Sequence, residues 1–208
     1  MKKHESLASF SIENEERANG HALICGVDEA GAGPLMGPVY AAAVILPEGC
    51  MIEGLDDSKK LTEKRREALY PIICEKAVAW AVAYCTEREI DEINILNARM
   101  LAMQRAIDAL SVKADFALID GNRNVGIVTP NRTVIGGDAK SLSIAAASVL
   151  AKVSRDRFVV EVLDKQYPEY QFARHKGYGT KLHYEMLDKY GPCDCHRKTF
   201  LRKWEEKR

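Results

Sequence analysis

Three short apolar runs in this 208-residue chain each lead into aspartate. Ala22 to Val27 runs into Asp28-Glu29, Leu118-Ile119 into Asp120, and Val134-Ile135 into Gly136-Gly137-Asp138. Apolar runs of this length bounded by turn residues read as buried strands, and an unpaired charge inside a core is costly. The carboxylates therefore stand where strands leave the core. Asp28, Glu29, Asp120 and Asp138 brought to one cleft would repel one another without cations, so the pattern points to hard divalent metal. Four unrelated surface carboxylates at strand ends would give the same spacing. Neighbouring strand residues also face opposite sides, so Glu29 joins Asp28 only where the chain twists into the turn that follows.

The remaining pattern alternates strand and helix. Ala22–Asp28 and Pro38–Leu46 read as strands joined by a Gly- and Pro-rich turn. Thr62 caps a helix over Glu63–Lys76. Val78–Tyr84 has strict period two, with alanine on one face, and reads as a strand pressed closely against a helix. Glu87–Leu110 is helical in two pieces, with Leu96, Met100, Met103 and Ile107 on one stripe. Phe116–Asp120 and Thr133–Gly137 read as short strands, and Ser141 caps a helix running to about Gln166, before Pro168. A loop with Gly177 and Gly179 precedes another helix, Lys181–Lys189. The order implies an α/β domain with a mixed sheet over residues 1–168, and a small helical C-terminal portion over 169–208 belonging to the same compact unit.

Composition limits the classes available. Hydrophobic residues make up 47% and charged residues 29%, as in a globular enzyme rather than a disordered chain. No apolar run has the length of a membrane span, and the charged N-terminus lacks the apolar core of a signal peptide; the expectation is a cytoplasmic protein. The six cysteines mostly sit inside apolar runs, as reduced core cysteines do. Cys193-Asp194-Cys195-His196 is the exception, yet it lacks the usual two-residue gap and a second cysteine pair, which disfavours zinc. Net charge is zero, but residues 171–208 hold ten Lys and Arg against five Asp and Glu, and five of the eight tyrosines lie between Tyr167 and Tyr190. Interleaved cations and aromatics suit a nucleic-acid backbone; a solvated helical tail fits the same residues.

The glycine turn invites a second reading. Gly31-Ala32-Gly33-Pro34-Leu35-Met36-Gly37 resembles a dinucleotide-binding loop, but its spacing is one residue too long, Pro34 interrupts it, and a strand follows where a helix N-terminus is needed. Its glycines instead allow a ligand to approach the backbone closely. With Mg²⁺ on the carboxylates, two ions about 4 Å apart would activate water and stabilise the leaving oxygen of a phosphodiester.

Several segments together resemble one family. Gly26-Val27-Asp28-Glu29-Ala30-Gly31, Gly33-Pro34-Leu35 and Gly37-Pro38-Val39 are similar to the opening of bacterial ribonuclease HII. So are Asp57-Ser58-Lys59-Lys60-Leu61, Asp120-Gly121-Asn122, Gly137-Asp138-Ala139-Lys140-Ser141, Ala151-Lys152-Val153-Ser154-Arg155-Asp156, His175-Lys176-Gly177-Tyr178-Gly179-Thr180 and His196-Arg197-Lys198-Thr199-Phe200. The resemblance spans roughly residues 20 to 200. It implies an RNase H-like fold, a mixed sheet flanked by helices, and Mg²⁺- or Mn²⁺-dependent endonucleolytic cleavage of RNA paired with or joined to DNA. It further implies incision 5′ to single ribonucleotides in duplex DNA, leaving 3′-hydroxyl and 5′-phosphate ends and starting ribonucleotide removal. By the same resemblance Asp28, Glu29, Asp120 and Asp138 carry two catalytic ions, and Gly31, Ala32 and Gly33 sense the 2′-hydroxyl. Tyr178 packs on the deoxyribose that follows, and Ser58, Lys59 and Lys60 contact the backbone. The implied partners are RNA/DNA hybrids and ribonucleotide-containing DNA, met by a monomer with no membrane association.

Ala32 departs from the pattern, because the family carries arginine there. A planar phosphate donor is lost, while the flanking glycine amides remain. The expectation is weakened substrate binding, or blunted selectivity for single ribonucleotides, with metal binding intact. The alternative it raises is a hybrid-binding protein of impaired catalysis.

Overall fold

The computed structural model describes residues 8–55, 58 and 61–206. Lys59 and Lys60, two of the expected backbone contacts, lie outside the described residues.

A five-stranded sheet in the order β3-β2-β1-β4-β5 forms the centre. Its strands are β1 (Ile24–Ala30), β2 (Val39–Ile45), β3 (Ala79–Cys85), β4 (Phe116–Asp120) and β5 (Asn131–Val134). β1, β2 and β3 pair antiparallel, whereas β4 lies parallel to β1, and β5 parallel to β4. The sheet is thus mixed, as the alternation of motifs implied. β5 ends earlier than the sequence suggests, because Gly136 takes a left-handed conformation (φ 62°) and Gly137–Ala139 coil into a short 3₁₀ turn, leaving Ile135 exposed.

Helices cover both faces. On one lies α3 (Glu87–Asp108), capped by Thr86 in a reciprocal capping box with Glu89 and broken at Asn94 (φ 64°, ψ 162°), which makes the two expected pieces. Ala79 and Ala81 of β3 and Ala41 and Ala43 of β2 are buried in the same cluster as Met100, Met103 and Ile107 of α3; the alanine face lets the helix come close. Leu96, expected on that stripe, is instead exposed, since it follows the break. On the other face α4 (Leu142–Phe158) packs on Ala42, Val44 and α2 (Glu63–Lys76). The approach of α4 to β1 depends on Gly26: a Cβ there would lie 2.1 Å from the Ser143 carbonyl carbon. A π-helical turn, Val159–Leu163, and α5 (Asp164–Gln166) continue α4 to the point where Pro168 was expected to end it.

A short N-terminal helix, α1 (Ser11–Ala18), was not foreseen. Its Glu13 is fully buried and accepts hydrogen bonds from Ser141 Oγ (2.6 Å) and the Ser143 amide (3.0 Å), placing a carboxylate at the N-terminus of α4. Glu16 is buried beside it and held by Arg132 (2.9 Å). After α6 (Phe172–His175), helices α7 (Lys181–Tyr190) and α8 (Lys198–Glu205) complete the chain. Leu187 and Leu201 of these helices share a core with Phe172, Tyr170, Leu163 and, from the glycine turn, Leu35 and Met36. The C-terminal portion is therefore packed directly on the turn after β1.

Candidate active site

Parallel pairing of β1 with β4 puts Val27 opposite Ile119, so the next residues, Asp28 and Asp120, emerge side by side at the same end of the sheet. Both lie on the face that carries Ile24, Gly26 and Leu118, the face crossed by α4. Asp138 reaches the same place from the 3₁₀ turn just before α4. Carboxylate oxygens of Asp28, Asp120 and Asp138 lie within 4.8 Å of one another. Asp28 and Asp138 are buried, and Asp120 is half-buried. Asp120 Oδ1 accepts the Gly137 amide (2.7 Å), and Asp28 Oδ1 accepts the Glu29 amide (2.7 Å), so backbone donors orient two of the three. Oxygen donors set this close suit a small hard cation that keeps several waters.

Glu29 behaves as strand alternation requires. Its side chain pairs with Arg99 of α3 at 2.6 Å, and it is not within the three-aspartate cluster. It nevertheless lines the same cavity, of about 200 Å³, together with Asp28, Asp120, Gly31, Ala32, Gly33, Ser58, Lys152 and Tyr178. Every sequence-predicted site residue that is described, apart from Asp138, borders this cavity, and Asp138 adjoins it through the other two aspartates.

The glycine turn, Ser58, Lys152 and Tyr178 form the rim of the cavity. Gly31 has φ 94°, and a Cβ there would meet the Arg155 side chain at 2.1 Å, so the turn needs glycine on both counts. Gly33 is exposed and runs beside the Tyr178 ring, whose nearest carbon would be 3.7 Å from an added Cβ. Tyr178 is 43% exposed, with Lys152 Nζ 5.8 Å and the Arg155 guanidinium 6.0 Å from its ring centre. Lys152 is held in turn by Asp156 (2.9 Å). Ser58 is buried, and its carbonyl accepts Arg66 (2.8 Å).

Arg197 escaped the sequence reading. It is fully buried and donates from Nε to the Gly37 carbonyl (2.9 Å), from Nη1 to Pro34 (2.8 Å) and Ala32 (3.1 Å), and from Nη2 to Gly31 (2.7 Å). Four carbonyls of the glycine turn thus converge on one planar fork. Its only sequence signal is the His196–Phe200 segment, where one more cation in a basic tail has no distinguishing neighbour. Lys152 gave equally little signal: its i,i+4 spacing to Asp156 reads as an ordinary helix-surface pair.

Relatives settle the family. The ribonuclease HII family model matches residues 25–203. The chain belongs to the ribonuclease HII family. It is 52% identical over 202 residues to ribonuclease HII of Caldicellulosiruptor bescii, covering 97% of this chain and 98% of that protein. It is 55% identical over 193 residues to the Vibrio parahaemolyticus ribonuclease HII, covering 93% and 91%. Among solved structures it resembles ribonuclease H2 from Pyrococcus horikoshii (TM-score 0.72, 28% identity, 89% of this chain and 98% of that one). It also resembles ribonuclease HII of Archaeoglobus fulgidus, solved in complex with PCNA (TM-score 0.70, 25% identity, 85% and 94%). Members of the family are hydrolytic endonucleases acting on the RNA of RNA/DNA hybrids, and the RNase H-like fold expected from the motifs is the fold observed. No helix among the described residues is long and apolar enough to cross a membrane.

Proposed function

We propose that this protein hydrolyses the RNA strand of RNA/DNA hybrids and incises 5′ to single ribonucleotides in duplex DNA, leaving 3′-hydroxyl and 5′-phosphate ends. The observation that carries the reading is the convergence of Asp28, Asp120 and Asp138 beneath a rim made of the glycine turn and Tyr178. In this reading the three aspartates hold Mg²⁺ or Mn²⁺ ions, which supply Lewis-acid stabilisation of the phosphodiester and an activated water. Glu29 contributes a fourth carboxylate from the far side of β1 and reaches the ions by giving up its pairing with Arg99. Gly31 and Gly33 present backbone donors to the 2′-hydroxyl, the group that distinguishes RNA at a given position. Arg197, by gripping the Ala32 carbonyl, fixes the peptide plane that carries the Gly33 amide. The exposed Tyr178 ring rests on the next sugar, where a 2′-hydroxyl would clash, and Lys152, Ser58, Lys59 and Lys60 meet the backbone phosphates. The residues over 169–208 act as a substrate-binding extension of the catalytic unit, and the protein works as a cytoplasmic monomer.

The alternative of a hybrid-binding protein with impaired catalysis gains no support from the site. Ala32 leaves the backbone of the turn in place, since Arg197 grips its carbonyl rather than its side chain. The test is cleavage of an RNA/DNA hybrid with Mg²⁺ by the protein and by Asp120→Asn. The reading expects loss of about a hundred- to a thousandfold in rate with hybrid binding retained, on the scale of removing one group that stabilises developing charge in a catalytic centre. Equal rates would overturn it.

A further inference from the structure

Away from the carboxylates, the turn closed by the His196 amide on the Cys193 carbonyl (3.0 Å) brings two thiols and an imidazole together. Cys193 Sγ lies 3.3 Å from Cys195 Sγ and 3.1 Å from His196 Nδ1. Cys195 is buried, whereas Cys193 is half-buried at the wall of an open cavity of about 610 Å³ shared with Glu87, Asp91, Asp194 and Lys198. The proton positions along this segment follow from its partners. His183 Nδ1 faces the Tyr178 carbonyl (3.0 Å), so it carries a proton and donates. His183 Nε2 is then an acceptor for His196 Nε2–H at 3.0 Å, which leaves His196 Nδ1 unprotonated and able to accept the Cys193 amide (3.0 Å). The imidazole is thereby placed to take the Cys193 proton, and the Cys195 thiol is placed to hydrogen-bond the resulting thiolate. In agreement, the Cys195 thiol and His196 hold Cys193 far below the usual cysteine range, to about 5.

The same segment is built into the recognition elements. The Cys195 carbonyl accepts the Gly37 amide (2.8 Å), the Arg197 amide donates to Leu35 (2.9 Å), and His196 forms an antiparallel bridge with Met36. Through His183 it also reaches the backbone of Tyr178. The thiol segment is therefore bonded, through backbone and imidazoles, to both sides of the cavity rim.

We propose that Cys193 and Cys195 are a peroxide-reactive dithiol whose oxidation to a disulfide loosens the glycine turn and Tyr178. The Cys193 thiolate attacks one oxygen of hydrogen peroxide; the O–O bond breaks, and the departing hydroxide takes a proton to become water, leaving a sulfenic acid. The Cys195 sulfur then attacks that sulfur, the S–O bond breaks, and hydroxide leaves with the Cys195 proton as a second water. Two thiols and one peroxide give one disulfide and two waters, the sulfurs losing the two electrons that peroxide gains. Pulling the sulfurs from 3.3 Å to bonding distance of about 2 Å withdraws Cys193 from His196 and displaces the Cys195 carbonyl that holds Gly37. A bound soft metal is the competing use of the same donors. It is less favoured because the cluster offers three ligands where a structural zinc takes four, and tetrahedral zinc with bonds of about 2.3 Å to sulfur would need the sulfurs farther apart.

The effect on cleavage rests on the function proposed above, so the test carries readouts that do not depend on it. The protein, Cys193→Ser and Cys195→Ala are treated with hydrogen peroxide, then mapped by peptide mass spectrometry under non-reducing conditions. Expected are a Cys193–Cys195 disulfide reversed by dithiothreitol, and, in Cys195→Ala, a dimedone adduct on Cys193. Amide exchange over residues 31–37 should quicken on oxidation, and KM for a hybrid should rise about fivefold with kcat nearly unchanged, the scale of one lost hydrogen bond; Cys193→Ser should show none of these responses. Absence of both the disulfide and the adduct would overturn the proposal, as would a disulfide that alters neither exchange nor KM. Stoichiometric zinc in the purified protein, lost in Cys193→Ser and protecting the thiols from peroxide, would assign the cluster to metal instead.

Discussion

Replacing Arg197 with methionine tests whether one buried guanidinium organises the turn over the active site. The substitution keeps an unbranched apolar stem but removes donors to Gly31, Ala32, Pro34 and Gly37. Hydrogen bonds to a charged group contribute about 1.5–3 kcal/mol each, and an orphaned buried acceptor costs about 1–3 kcal/mol. Gly31, Pro34 and Gly37 are buried and cannot regain water without the turn opening, whereas Ala32 is half-buried and can. Against this, methionine avoids burying a charge, which is worth several kcal/mol. The balance is a loss of about 3–5 kcal/mol. In urea, with a slope near 3 kcal/mol per molar for a chain of this size, the midpoint should fall by about 1–1.7 M. Arg197→Lys, a point charge with three donors in place of a fork, should lose roughly half as much. Below the transition, Arg197→Met should bind an RNA/DNA hybrid more weakly, because the Gly33 amide loses its aim. A destabilisation under about 1 kcal/mol with unchanged hybrid affinity would refute the reasoning.

Two further predictions concern charge. Burial holds the His183 imidazole down to about 4, despite its hydrogen bond to Tyr178, and lowers His175 as well. Above the unfolded value of about 6.5 both states are neutral and stability is flat; below it only the unfolded chain takes up the proton, so stability falls as pH drops from 6.5 towards 4. For His183 the total is about 3 kcal/mol. Glu89, held near 2 chiefly by Arg105, acts only below its unfolded value of 4.5, and Cys193, held near 5, acts between its unfolded value of about 9 and 5, so urea melts of Cys193→Ser between pH 6.5 and 4.5 isolate the histidines. A flat profile there would contradict the assignment, and His183→Gln should show a shallower slope. Ala32→Arg should restore one phosphate contact, steepening the salt dependence of hybrid binding by about one unit; identical affinities and slopes across a salt series would show that position 32 does not face the substrate backbone.

How much was visible in the chain depended on where each interaction lies. β4 and α2 were readable to the residue, because period and caps are local. The aspartates were readable because a charge ending an apolar run is informative whatever the fold. That Glu29 lies on the α3 side follows from alternation, but its pairing with Arg99 depends on how a helix sixty residues later packs against the sheet. α1 was missed because its buried groups are glutamates, which gain their place from Ser141 and Arg132, more than a hundred residues away. The C-terminal portion reads as helical, but the bounds of α8 do not, since only Leu201 is fully buried and the rest of its face is half-covered or exposed. Arg197 is the plainest case: among ten cations of the C-terminal segment, only the fold distinguishes the one that is turned inward.

The most direct test of the account is incision of a DNA duplex carrying one embedded ribonucleotide, with Mg²⁺ or Mn²⁺, beside a fully hybrid duplex. The account predicts a single cut 5′ to the ribonucleotide, a 3′-hydroxyl and a 5′-phosphate at the nick, and no cut in an all-DNA control. Cleavage of the long hybrid alone, or of neither substrate at saturating metal, would contradict it.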